Sequence, residues 1–272
     1  MKLVIIVVAF NKSVSESKSL LSLISQKNIN KNLCIDLHVY DNSPVKKIDV
    51  NDLVNSNHNF NVDCVWDGRN KTLREIYSDV ISSCNSSVDY FLFLDDDSEL
   101  NRSYISNFHS TYINEICGCN LSHRPVIIPK IVFNGSVYSP YKPFIFTSRP
   151  YEGSFGFVEG LHAINSGIFV PNSPIIRKFA YPDYADFYGT DTVLFEFLNQ
   201  KEYPVYYIDS EIDHDISFSI VNGFDVYIPR LKLVVKFWRS HYNKPHTRMI
   251  LELYILILSI KLSIKFRKIV YL

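Results

Sequence analysis

The chain has 272 residues, 47% of them hydrophobic and 21% charged, a balance that excludes a disordered, collagen-like or polytopic membrane protein. Its 28 basic and 28 acidic side chains cancel, but unevenly along the sequence. Residues 1–229 carry 18 basic and 27 acidic groups, a net of −9, whereas residues 230–272 carry 10 and one, a net of +9. An acidic body with a basic tail predicts that the tail meets an anionic partner.

Leu3–Phe10 is an apolar, largely β-branched run, which predicts a strand covered on both faces. It is too short for a secretory signal and has no small-residue cleavage site behind it. Leu20, Leu21 and Ile24 at helical spacing predict a helix over Val14–Ser25. Cys34–Tyr40 reads as a second strand, ending in the turn cluster Asp41-Asn42-Ser43-Pro44. Asn51–Asn61 is polar and Asn-rich, hence a loop, and Val62–Trp66 is a third strand. Thr72-Leu73-Arg74-Glu75 fits a capping box that opens a helix to about Ser83. Tyr90–Leu94 is a fourth strand, closed by Asp95-Asp96-Asp97. This β-α-β-α-β order predicts an α/β fold with a mostly parallel sheet flanked by helices.

Farther on, Val126–Phe133 reads as a strand and Asn134-Gly135 as a hairpin turn. Residues 138–157 are rich in Tyr, Phe and Pro without periodicity. Ile164–Val170 reads as a strand carrying Asn165-Ser166-Gly167, which is either a turn or part of an acceptor site. Thr190 caps a helix through Leu198, and Tyr203–Ile208 is a strand followed by Asp209, Asp213, His214 and Asp215. The five cysteines form no C-x-x-C pair and read as free thiols.

The tail follows a different pattern. Pro229 suits the first turn of a helix. Leu231, Val234, Val235 and Trp238 then form an apolar stripe beside Lys232, Lys236 and Arg239. After Lys244-Pro245, the run Met249–Ile260 is interrupted by Glu252 and falls short of the ~20 residues that span a bilayer. Lys261, Lys265, Arg267 and Lys268 follow. Two basic amphipathic helices predict a tail over 230–272 lying on an anionic membrane surface; packing on the body is the competing expectation. No nucleic-acid module is visible, so no nucleic-acid partner is expected.

Three of the first four strands end in acidic clusters: Asp41, Asp67-Gly68-Arg69-Asn70 and Asp95-Asp96-Asp97. Open α/β sheets bind ligands at the carboxyl ends of their strands. Alternation puts Asp95 and Asp97 on one side and Asp96 on the other. Two adjacent carboxylates repel unless a cation lies between them, and hard oxygen ligands suit Mg²⁺ or Mn²⁺.

With Val8-Ala9-Phe10-Asn11, Asp41-Asn42-Ser43, Leu94-Asp95-Asp96-Asp97-Ser98, Ala163-Ile164-Asn165-Ser166-Gly167, Gly189-Thr190-Asp191 and His214-Asp215-Ile216-Ser217 in this order, the chain resembles the family 2 glycosyltransferases with a GT-A fold. The Leu-Asp-x-Asp-Ser element is similar to the rhamnosyltransferase-like branch, and the resemblance covers residues 1–220. It implies a GT-A domain over 1–229 and a role for each matching residue. Asp41 resembles the carboxylate that reads a pyrimidine base, and Asp67, Arg69 and Asn70 fall in the nucleotide-contacting loop. Asp95 would face the ribose and phosphates, Asp97 would bind Mg²⁺ or Mn²⁺, and His214 would be a second metal or diphosphate contact. Asp191 resembles the general base. The acidic pair near that base departs from the family's pattern, with Asp186 standing five residues before Asp191, so Asp186 is the alternative base.

The resemblance implies inverting transfer of a sugar from a UDP-, dTDP- or GDP-linked donor to a hydroxyl of a lipid-linked glycan. The implied setting is bacterial surface polysaccharide (O antigen or capsule) assembly at the cytoplasmic face of the inner membrane. A sugar-nucleotidyltransferase would need a Gly-rich phosphate loop, and none lies between Phe10 and Ser25. A non-catalytic sugar-binding or scaffold protein on a degenerate GT-A fold is the alternative of a different class.

Overall fold

The structure, a computed structural model, describes residues 1–54, 60–215 and 223–272. Its first strand, β1 (Lys2–Ala9), is apolar at almost every position, so both of its faces must be covered. Leu3, Ile5 and Val7 enter one apolar cluster, and Val4, Ile6 and Val8 enter another on the opposite face. A single 3-10 turn (Val14–Glu16) precedes α1 (Lys18–Ile24), where one helix is expected. Ser17 separates them, because its side chain accepts from the Leu20 N–H and caps α1.

β2 (Cys34–Asp41), α2 (Val50–Val54) and β3 (Phe60–Val65) follow. α2 occupies the start of the stretch expected as a loop, and residues 55–59 of that stretch lie outside the described residues. α3 (Leu73–Ser83) opens on the expected capping box, Thr72 Oγ1 accepting from the Glu75 N–H and the Glu75 carboxylate from the Thr72 N–H. β4 (Tyr90–Asp95) repeats the two-faced burial of β1: Leu92 and Leu94 lie in one cluster, Phe91 and Phe93 in the other. β5 (Ser98–Leu100) and α4 (Tyr104–Thr111) come next, the latter burying Tyr104, Ile105 and Phe108.

β6 (Val126–Phe133) and β7 (Ser136–Ser139) form a hairpin. Its turn residues Asn134 and Gly135 are both left-handed, as such a turn requires. β8 (Tyr141–Phe144) and β9 (Thr147–Pro150) make a separate hairpin in the region without periodicity, and β10 (Gly156–Val158) follows. The strand expected over Ile164–Val170 is reduced to β11 (Phe169–Pro171). Gly167, at φ +90°, and the Ile168 N–H bonded to the Asn165 carbonyl turn the chain ahead of it. α5 (Thr190–Gln200) leads to β12 (Val205–His214), which continues through the acidic residues expected beyond its end.

The sheet runs β10-β12-β6-β11-β4-β1-β2-β3, with β5 on β12 and β7 on β6. β4, β1, β2 and β3 are mutually parallel, as are β6 and β12, whereas β11 runs antiparallel between the two groups. All five cysteines are free thiols.

The chain divides into two units: Met1–Tyr181 with Asp191–Asp215, and Pro182–Thr190 with Ile216–Leu272. In the second, α6 (Phe224–His241) and α7 (Pro245–Phe266) join through the Arg239–Glu252 ion pair at 2.9 Å and the Trp238–Tyr254 ring contact. The boundary expected at 229/230 therefore falls inside a helix. Pro229 sits within α6 rather than in its first turn; it withholds one N–H from the main-chain ladder near the helix start.

Candidate active site

The register of the parallel strands builds the site. Val8 of β1 lies beside Asp95 of β4, and Ala9 beside Asp41 of β2, so three carboxyl ends share one rim. After Asp95 the chain turns and returns as β5, antiparallel to β12, with Ser98 opposite His214. That pairing delivers the imidazole to the acidic loop. Asp95, Asp97 and His214 each offer a ligand atom, and these atoms lie within 4.8 Å of one another. His214 Nδ1 is 2.8 Å from Ser98 Oγ and 3.2 Å from Asp97 Oδ1. Asp97 Oδ1 is buried and, beyond this ion-pair contact, makes no hydrogen bond.

Asp96, in the turn between β4 and β5, is engaged apart from the cluster. Its carboxylate accepts from the Phe10 N–H at 2.9 Å and from Lys12 Nζ at 2.6 Å, tying the loop to the end of β1. Hydroxyls hold the loop from beneath. Ser166 Oγ accepts from the Asp95 N–H at 2.9 Å and lies 2.6 Å from Ser98 Oγ. Ser19 Oγ contacts the Asp95 carbonyl and accepts from the Ser98 N–H at 3.1 Å, and Ser17 Oγ donates to the Asp96 carbonyl. Sequence reasoning misses Ser17 and Ser19 and assigns no role to Ser98, whose only signal is its place directly after three aspartates. Ser166 is a buried support of the loop, and Gly167 beside it leaves no room for a Cβ, which would meet Ile212 Cδ1 at 2.2 Å.

The electrostatics separate this loop from its neighbours. Burial, then Asp97, Asp96 and Asp191, push the Asp95 carboxyl well above the usual carboxylate range. Burial also raises Asp97, against the opposing pull of His214. Asp191, in the first turn of α5, is raised by burial and lies within electrostatic reach of Asp95. The buried, partnerless hydroxyls of Tyr77 and Tyr181 both sense Asp191. Neither tyrosine carries a sequence signal beyond apolar burial. Asp186 belongs to the other unit, where it lines a cavity of about 360 Å³ with Tyr184, Phe187 and Tyr188.

The remaining sequence candidates are differently committed. Asp41 is buried and accepts from three main-chain N–H groups, those of Ser43, Lys47 and Ile48. It shapes the loop after β2 instead of presenting a free carboxylate. Asp67 binds Arg69 at 2.7 Å and Lys71 at 3.0 Å, and these partners, Arg69 first, hold its carboxyl far below the usual range. Asn70 Oδ1 accepts from Asn42 Nδ2 at 2.8 Å, and Asn42 also grips the main chain of Lys71. Of the His214-Asp215-Ile216-Ser217 motif, Ile216 and Ser217 lie outside the described residues.

The donor set fits a divalent cation. Two carboxylates and one imidazole are bunched, two of them are raised by burial, and one buried oxygen lacks a hydrogen-bond donor. Mg²⁺ or Mn²⁺ answers each of those features.

No family model matches the chain, and no curated protein matches it in sequence. Solved structures do match in fold. Staphylococcus aureus TarS 1–349 superposes with a TM-score of 0.52 at 13% identity, covering 91% of this chain and 73% of that one. GalNAc-T7, solved with UDP, GalNAc and Mn²⁺, superposes with a TM-score of 0.56 at 10% identity, covering 86% and 48%. A longer TarS structure gives 0.50 at 14% identity and is covered over 44% of its length. These neighbours are GT-A-type glycosyltransferases, and the fold expected from the sequence, α/β with a mixed, mostly parallel sheet flanked by helices, is the fold of this chain.

Proposed function

We propose that the protein is a metal-dependent, inverting glycosyltransferase that takes its sugar from a nucleoside diphosphate. One observation carries this reading: Asp95, Asp97 and His214 bunched at the carboxyl rim of a GT-A sheet, with Asp97 Oδ1 buried and without a hydrogen bond. Asp95, Asp97 and His214 would hold a divalent cation, which would supply charge neutralisation to a departing diphosphate.

The chain's own residues account for the rest. Ser166 and Ser98 fix the main chain and hydroxyl geometry around Asp95 and His214, so the ligand atoms are set before the donor arrives. Arg69 and Lys71, projecting after β3, offer positive charge to the nucleotide, with Asp67 fixing their direction. Asp191, raised by burial, accepts the proton of the attacking hydroxyl. Attack opposite the leaving group inverts the anomeric carbon without a covalent intermediate. Asp41 supports the nucleotide side of the rim by holding the loop after β2.

The donor is a UDP-, dTDP- or GDP-sugar, and the acceptor is a lipid-linked glycan of bacterial O antigen or capsule assembly. The support for that setting is the motif resemblance to the rhamnosyltransferase-like branch. The test is release of nucleoside diphosphate from a panel of these donors with Mn²⁺ or Mg²⁺ and again with excess EDTA. Release that needs the metal is expected; full release in EDTA overturns the metal-dependent reading.

A further inference from the structure

α7 has two apolar faces. Leu251, Ile255 and Leu262 form one and are buried. Met249, Leu253, Leu256, Ile260 and Ile264, at spacings of three and four, form the other and face solvent. Met249 is 72% exposed, Leu253 58% and Ile264 73%, with Ile257 beside them on the same stripe. A helix apolar on both sides is ordinarily covered on both sides. A stripe of this length left in water marks an interaction surface.

Charge identifies what covers it. Lys261 and Lys265 border one edge of the stripe, and Arg267 and Lys268 follow at the end of the helix, all four exposed. Glu252, the only acidic residue of 230–272, is already paired with Arg239 and Arg248. A second copy of the chain docking through this face would bring two strongly basic tails together. A crossing helix is also excluded by composition: among the described residues, no helix is long and apolar enough to cross a membrane.

We infer that the outer face of α7 lies parallel to an anionic phospholipid bilayer, its aliphatic stripe in the acyl boundary and its lysines among the headgroups. The inner apolar face is covered by the protein, and the outer face supplies the aliphatic stripe with a basic edge that interfacial binding needs. The inference is independent of the transferase reading, because the stripe and its charges are features of the tail alone.

Sedimentation of the full-length chain with vesicles tests it. Wild type should bind vesicles of equimolar phosphatidylglycerol and phosphatidylcholine and bind phosphatidylcholine alone poorly. Rising salt should weaken binding without abolishing it, since screening acts on the lysines and not on the aliphatic stripe. Lys261→Glu with Lys265→Glu should reduce binding to the mixed vesicles at least ~10-fold. Leu253→Glu with Leu256→Glu should remove the salt-resistant part; both positions are exposed, so an unchanged melting temperature serves as the folding control. Should that pair fail to fold, the lysine pair and the salt series still decide. Equal binding to neutral and anionic vesicles overturns the inference. So does a wild-type dimer that Leu253→Glu with Leu256→Glu dissociates while vesicle binding is unchanged.

Discussion

The loops after β3 and after β4 carry the same residue type in opposite electrical states. After β3, Asp67 has its own cations, Arg69 and Lys71, and is held ionised far below the ordinary range. After β4, Asp95 and Asp97 are half-buried near each other, with Asp191 in electrostatic reach of Asp95 and one imidazole against Asp97, and both are pushed up. Lys12, the nearby cation, is spent on Asp96. A carboxylate that brings its counter-charge is electrostatically complete. A half-buried group of them that shares a single imidazole relieves its repulsion by holding protons or by binding a cation, and that contrast separates the two loops more sharply than their sequences do.

The largest expected effect tests the incomplete loop. Asp97→Ala removes one of the clustered carboxylates and should lower kcat by at least ~10³-fold. It should also abolish the thermal stabilisation by Mn²⁺. In wild type, mass action at one hundred times the dissociation constant contributes about 2.7 kcal/mol, or several degrees in Tm for a chain of this size. In metal-free buffer the variant should be no less stable than wild type, because a buried like-charge repulsion has gone. Calorimetry with and without Mn²⁺ reads both effects. Stabilisation by Mn²⁺ that survives Asp97→Ala would break the comparison.

The next effect concerns the base. Asp191→Asn keeps the shape and removes the proton acceptor, so kcat should fall at least ~10²-fold with donor affinity little changed. Asp186→Asn should leave kcat near that of wild type. Burial raises the Asp191 carboxyl, so it stays protonated, and inactive as a base, to a higher pH than an ordinary aspartate. The acid limb of kcat/KM should therefore lie above the ordinary carboxylate range, with the rate falling as pH drops through it. A limb at an ordinary aspartate pKa, or a larger loss from Asp186→Asn, would move the assignment.

How much of this is legible in sequence depends on where the determining contacts come from. β1 and β4 read correctly because a strand buried on both faces is apolar at successive positions, a purely local signal. Thr72 and Glu75 read correctly because a capping box closes within three residues. The separation of Asp96 from its neighbours is expected from strand alternation, but β4 ends at Asp95 and the turn to β5 produces it. What does not read is whatever needs a distant partner. Ser19 meets Ser98 across 79 residues and His214 meets Ser98 across 116, and no periodicity reports either pairing. The commitment of Asp41 to main-chain N–H groups depends on how the loop through Ile48 folds back. Pro229 misleads because its preference for a first turn is statistical, and helix α6 tolerates it in its second turn. The outer stripe of α7 is visible as apolar spacing, but only the fold shows that the opposite stripe is the buried one.

The smallest expected effect lies in the complete loop and sharpens the comparison from its other side. Asp67 is accessible to water, and its two ion pairs are exposed, so Asp67→Asn should leave Tm nearly unchanged. The substitution frees Arg69 and Lys71 from their fixed direction without removing either charge. If these cations serve the nucleotide, losing their alignment weakens binding while the unneutralised charge strengthens it, and the two changes oppose each other. The net change in UDP, dTDP or GDP affinity should be no more than ~10-fold, and it should shrink as salt screens the loop. Metal dependence should be untouched, since no ligand atom of the Asp95, Asp97 and His214 cluster is altered. Nucleotide titrations of Asp67→Asn at low and high salt, each with Mn²⁺ and with EDTA, separate these contributions. A loss as large as that of Asp97→Ala, or a loss of metal dependence, would mean that the two loops act as one site and that the electrical contrast between them does not divide their roles.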